Sequence, residues 1–178
     1  MELIQDKQKT AYKTLKDECG WSNVMQTPRI EKVVVSVGTG KMIKDKHRIE
    51  VVTSRLAKIT GQKAASRGAK KSIATFKTRE GDTIGYQVTL RGARANDFVN
   101  RLIHVALPRT KDFKGISANS IDAMGNYTLG IKEHAIFPEA ADEDIKDMFG
   151  LAVTIVTSAK NKKDAKAYLA HLGFPFKK

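Results

Sequence analysis

Residues 83–91 read TIGYQVTLR, and their alternation constrains the chain more than any other feature. Side chains along a strand point to opposite faces in turn. Ile84, Tyr86, Val88 and Leu90 therefore make one side, and Gly85, Gln87, Thr89 and Arg91 the other. The first side is apolar; the second is polar and able to hydrogen-bond. A strand of this kind belongs to a sheet that packs on one face and leaves the other open. RIEKVVVSVG, residues 29–38, repeats the pattern: Val33, Val35 and Val37 alternate with Lys32, Val34 and Ser36, and Gly38 and Gly40 end the run. YTLGIKEHAIF (127–137) and LAVTIVTSA (151–159) supply two further strands.

Helical patterns lie between them. Residues 2–18 lack Gly and Pro and carry sparse apolar points at Leu3, Ile4, Tyr12 and Leu15. Asp45 is placed to cap a second helix, whose Ile49, Val52, Leu56 and Ile59 recur in three- and four-residue steps up to Gly61. A third follows TIGYQVTLR, with Phe98, Leu102 and Val105 inward and Pro108 at its close. In the last, Asn161 and Asp164 resemble a capping box, and Ala165, Leu169 and Leu172 form the inner stripe before Gly173 and Pro175. Strict βαβ alternation is missing. The expected class is α+β, an antiparallel sheet with helices packed on one face and long basic loops, in one domain over 1–178. Its uncovered face would carry Ser36, Gln87, Thr89 and Arg91.

Charge gives that open face a purpose. The formal net charge is +13, and it is unevenly placed: thirteen Lys and Arg face four acids between Lys58 and Lys114, whereas 115–178 holds eight of each sign. SRGAKKSIATFKTREG (66–81) is the densest stretch, with Arg67, Lys70, Lys71, Lys77 and Arg79 against Glu80 alone. Self-repulsion of such charge opposes a compact state, so the charge points to a polyanionic partner. Neutralising phosphates releases counterions and supplies affinity without sequence readout. Gln, Thr, Ser and Arg on a strand can then reach the 2′-hydroxyls and base edges that an A-form minor groove displays. Phe76 and Phe113 could either stack on an unpaired base or anchor their loops to the core. The residues alone lead to a structured RNA-binding protein.

Other chemistries find little support. VGTGK (37–41) follows a strand, yet Met42 stands where a phosphate loop needs Ser or Thr and Ile43 where a dinucleotide loop needs Gly. His47, His104, His134 and His171 show no metal-ligand spacing, and Cys19, the single cysteine, makes no intrachain disulfide. Asp142, Glu143, Asp144 and Asp147 read as acids offsetting a helix dipole rather than as a magnesium site. No nucleophile elbow occurs. The expectation is no catalysis, no cofactor and no metal. MELIQDKQKT lacks the apolar core of a signal peptide and no run is long enough to span a bilayer, so a cytoplasmic protein with no membrane partner is expected.

A set of short motifs carries a resemblance. Thr60-Gly61-Gln62, Lys70-Lys71-Ser72-Ile73-Ala74 with Phe76, Arg79-Glu80-Gly81, Ile84-Gly85 and Val88-Thr89-Leu90-Arg91-Gly92 come first. Leu107-Pro108-Arg109, Asp112-Phe113 with Gly115, Gly125-Asn126-Tyr127, Gly130-Ile131-Lys132-Glu133, Phe137-Pro138-Glu139 and Pro175-Phe176 follow in order. Almost end to end the chain resembles the bacterial large-subunit ribosomal protein five family. The resemblance implies an α+β fold and a structural role in the ribosome: binding 5S rRNA and seating it, beside 23S rRNA, in the central protuberance among its neighbouring proteins. It places rRNA contacts at Ser36, Gln62, Lys63, Thr89 and Arg91. It gives the loop bearing Arg67, Lys70, Lys71, Ser72, Lys77 and Arg79 to the P-site tRNA. Arg109, Lys111, Asp112, Phe113 and Lys114 fall in the family's long loop, which bridges to protein thirteen of the small-subunit head. Ser36 replaces the family's usual asparagine, and Ala64 its usual proline. The alternatives are a transient ribosome-associated RNA-binding factor and, from a different class, an RNA-modifying enzyme using the same basic face.

Overall fold

A computed structural model of the chain describes residues 3–43, 45–140 and 147–177. Among them the strands β1 (Ile30–Gly38), β2 (Ala65–Gly68), β3 (Thr83–Leu90), β4 (Tyr127–Ile131) and β5 (Leu151–Thr157) form one open antiparallel sheet in the order β2-β3-β1-β5-β4. With the helices α1 (Ile4–Cys19), α2 (Lys46–Thr60), α3 (Gly92–Arg101) and α4 (Lys162–Leu172) the fold is α+β. The expected alternation holds on the central strands. Val33, Val35 and Val37 of β1 are buried, as are alternate residues of β5, while Val34, Ser36, Thr154 and Val156 are half-exposed.

The chain packs as two compact units, each assembled from separate segments. The first comprises Met1–Val33, Leu90–Leu129 and Thr154–Lys178; the second comprises Val34–Thr89 and Gly130–Val153. In the first unit α1 packs on α3 and α4. Ile4, Ala11 and Leu15 meet a core that includes Phe98, Val99, Tyr168, Leu169 and Leu172, all buried. Each of the larger apolar side chains among them contributes about 1.5–3 kcal/mol on leaving water. Polar ties fix the register: the Ile4 N–H donates to Asn100 Oδ1 at 3.0 Å, and Lys7 Nζ donates to the Leu172 carbonyl at 3.3 Å.

In the second unit α2 starts and stops as its sequence dictates. Asp45 accepts the Arg48 N–H at 3.2 Å, and Gly61 closes the helix at φ 67°, donating to the Ala57 carbonyl at 2.8 Å. Val52, Leu56 and Ile59 are buried, and Arg55 lies beside them, 4 % exposed. Arg55 Nη1 donates to the Asp147 carbonyl at 2.8 Å and lies 3.1 Å from His134 Nε2.

Four local expectations give way to tertiary context. Val105 is 36 % exposed rather than inward, because α3 passes into a π-helical turn over Leu102–Ala106 in which the Leu107 N–H reaches the Leu102 carbonyl at 2.9 Å. The wider turn shifts the buried stripe to Leu102, Ile103, Ala106 and Leu107. Ile84 is also exposed, since the start of β3 pairs with β2, whose four residues are all exposed. The strand expected over 127–137 ends at Ile131, and a 3-10 turn occupies His134–Ile136. Asn161 makes no side-chain cap bond. Of the acidic cluster, 142–144 lie outside the described residues, and Asp147 pairs with Arg48 at 3.7 Å.

Candidate nucleic-acid interface

The second unit brings together residues that lie far apart in the chain. Gly61 turns the backbone after α2, and Gln62 follows with its N–H on Thr60 Oγ1 at 3.4 Å. Its side-chain Nε2 then reaches the Thr89 carbonyl at 3.5 Å. Thr89 and Gln87 occupy the half-exposed face of β3, opposite buried Val88 and Leu90. Arg67, on β2, stands opposite Gly85 and donates through Nε to Gln87 Oε1 at 2.8 Å. Gly85 is required there: a Cβ would stand 2.9 Å from the Val37 carbonyl oxygen.

A guanidinium is therefore held on the same strand face as the Gln87 amide and the Thr89 hydroxyl, with the Gln62 amide beside them. Period-two geometry puts Gln87 and Thr89 on one side together. Arg67, expected among the loop cations, is rooted on β2 and bonds to Gln87 of β3. Gln87 was visible as a polar strand residue, but nothing local indicated that it would position an arginine 20 residues upstream. Ser36 is half-exposed on β1, and Lys63 is exposed just past α2.

The loop from β2 to β3 has its own internal structure. Ala69 N–H donates to the Asp82 carbonyl at 2.8 Å and Gly81 N–H to the Ala69 carbonyl at 3.0 Å, closing the base. Ile73 and Thr78 form an antiparallel bridge around a 3-10 turn at Ala74–Phe76, and Lys77 takes φ 51°. The acids are engaged locally or outnumbered: Asp82 Oδ2 accepts the Arg79 N–H at 2.8 Å. Ser72 Oγ accepts the Glu80 N–H at 3.0 Å, so this expected contact residue also supports the loop. Lys70, Lys71, Lys77 and Arg79 are exposed, and none forms an ion pair among the described residues. Phe76 is 71 % exposed, so it does not anchor the loop to the core.

Arg91 and the second basic loop belong to the first unit. Arg91 is exposed at the N-cap position of α3. Arg109, Lys111, Asp112 and Lys114 are exposed, Phe113 is half-buried, and Asp112 takes the left-handed conformation at φ 52°. The far side of this loop is pinned: Ile116 N–H donates to the Pro175 carbonyl at 2.8 Å, and Lys177 N–H to the Ile116 carbonyl at 2.9 Å. At its end Asp122 accepts both the N–H and the side-chain amide of Asn126, which holds its carboxyl below the usual range.

Among the described residues of the second unit, His134 is the titratable group with a shifted pKa. It is buried, stacked on Phe149 at 4.2 Å, and its Nδ1 accepts the Phe149 N–H at 3.3 Å. Burial first, and the Arg55 charge second, lower its pKa from 6.5. It faces the core rather than solvent, and no trio of His, Cys, Asp or Glu among the described residues is arranged to hold a metal. No helix among them is long and apolar enough to cross a membrane.

Comparison with known proteins agrees along the whole chain. Residues 23–79 match the family described as Ribosomal protein L5, and residues 83–176 match the model of that ribosomal family's C-terminus. A protein of Ureaplasma parvum named large ribosomal subunit protein uL5 is 53 % identical, over 100 % of this chain and 97 % of its own. Proteins of the same name from Trichlorobacter lovleyi and Flavobacterium johnsoniae are 53 % and 51 % identical over 92 % of this chain, and over 91 % and 90 % of their own.

Proposed function

This chain belongs to the ribosomal protein L5 family, and from that premise we propose that, as a structural constituent of the large ribosomal subunit, it binds 5S rRNA through the open face of β1 and β3. It is not an enzyme, and its place is the ribosome. Gln62, Lys63, Ser36, Thr89 and Arg91 make the rRNA contacts, and Arg67 joins them. The exposed loop cations Lys70, Lys71, Lys77 and Arg79, with Ser72, meet the P-site tRNA. Arg109, Lys111, Asp112, Phe113 and Lys114 reach the small-subunit head and its protein thirteen. 23S rRNA and the other proteins of the central protuberance complete the surroundings.

The observation that carries this reading is the Arg67–Gln87 bond at 2.8 Å beside Thr89, which presents a cation and hydrogen-bonding groups together on an uncovered strand face. The cation neutralises phosphate, while the amide and hydroxyl match ribose and base edges. Filter binding of the purified chain to a 5S transcript at two salt concentrations tests it directly. A saturable complex with a steep salt dependence is expected; indifference to 5S at low salt would end the proposal. A transient factor would wash off large subunits in moderate salt, whereas a constituent stays at one copy per particle.

A further inference from the structure

The first unit contains a cavity of about 520 Å³ that the interface above does not use. That volume lies within the usual range for pockets that enclose a small ligand. Its apolar wall is Trp21, 6 % exposed, with Val24 and Met25 at 60 % and 91 % exposed on a 3-10 turn. The turn is held by its backbone: Met25 N–H donates to Asn23 Oδ1 at 3.0 Å and Thr27 N–H to the Val24 carbonyl at 3.1 Å. Its methionine is therefore presented to solvent by a fixed scaffold. An unbranched thioether is also the side chain best able to mould itself to a flat ring.

Cations share the lining: Arg29 and Lys160, both exposed. The Arg29 backbone is tied on both sides to Ser158, at 3.0 Å each way, which fixes the root of the side chain. Asn161 begins α4 without a side-chain cap bond, so the first amides of that helix keep their hydrogens free for an outside acceptor. Asp164 is the one carboxylate among the described residues of the lining, set against the two cations Arg29 and Lys160. Thr27 contributes a buried hydroxyl with no partner, a group that native structures seldom leave unmatched.

An anion selector adjoining an apolar shelf fits a group that is itself half phosphate and half ring. We propose that this cavity receives one unstacked nucleotide of a ribosomal RNA, its base against Met25 and Val24 and its phosphate between Arg29 and Lys160. Thr27 Oγ1 hydrogen-bonds the ribose or the base edge. Stacking on side chains recovers the cost of taking a base from its helix. The site rests on the ribosomal reading above but is separate from the sheet face that carries it.

Short-wave ultraviolet irradiation of intact large subunits containing the unaltered chain, followed by mass spectrometry of RNA–peptide adducts, tests the site. A nucleotide adduct on the peptide Trp21–Arg29 is expected. RNA adducts confined to other segments of the chain would overturn the pocket and leave the RNA-binding reading standing. Absence of RNA adducts anywhere on the chain would remove both. In competitive reconstitution, Met25→Glu should enter particles about ten-fold less well than the parent, the scale of losing one stacked base. Met25 is too exposed for this change to threaten folding, so equal incorporation would also refute the assignment.

Discussion

Replacing Gln62 with Ala and Thr89 with Val, singly and together, probes the sheet face where the proposed 5S contact lies. Within the protein these side chains do little. The Gln62–Thr89 bond is 3.5 Å long, at the weak end of hydrogen bonding, and the Thr89 hydroxyl has no partner among the described residues. Valine keeps the β-branched shape of threonine, and both positions are half-exposed, so folding stability should change by less than about 0.5 kcal/mol. In the complex, each truncation leaves an RNA hydroxyl or base edge unmatched, which costs roughly 1–3 kcal/mol. That corresponds to about 5- to 150-fold in Kd. Because the two residues touch, the double variant should lose less than the sum of the singles. Filter binding to 5S transcripts at fixed salt reads the affinity, and circular-dichroism melts check the fold. Affinity within two-fold of the parent at unchanged Tm would show that this face does not read the RNA.

Lys70→Ala with Lys71→Ala should leave isolated 5S affinity within about two-fold and its salt dependence unchanged if that loop serves tRNA, since each lost phosphate contact lowers the salt slope by about one; a shallower slope in the same titration would move the loop onto 5S rRNA. Gly85→Ala forces a Cβ to 2.9 Å from the Val37 carbonyl, with backbone on both sides. It should destabilise the fold by about 1–3 kcal/mol in urea denaturation, and wild-type stability would mean that the strands separate freely there. His134 has its pKa lowered in the folded state, by burial first and then by Arg55, so the unfolded chain binds the proton more readily. Its contribution is therefore fully present above pH 6.5 and lost as pH falls toward the lowered value. The urea midpoint should drop over that window in the parent and drop less in His134→Gln; parallel curves would exclude the histidine.

Local pattern was enough for the periodic parts. Period two in VVVSV and VTL set which residues of β1 and the end of β3 are buried, while Tyr86 is no more buried than Gln87, and Asp45 and Gly61 bounded α2, because these choices depend on sterics and hydrogen bonds within a few residues. The concentration of charge between Lys58 and Lys114 was equally plain, and it points to a polyanionic partner. The tertiary structure decided what depends on neighbours distant in sequence. A π-turn after α3 moved Val105 outward, a detour that a 3.6-residue pattern cannot register. Asn161 makes no side-chain cap bond, although Asp164 stands at the spacing of a capping box. The bond from Arg67 to Gln87 joins residues 20 apart on neighbouring strands, a pairing that no local pattern announces. Trp21, Met25, Arg29 and Lys160 had no common motif to announce them; their shared cavity exists only because the segment after α1 and the start of α4 pack side by side. Local preference acts through bonds a few residues long, and a binding surface is made of pairings that only the closed fold can choose.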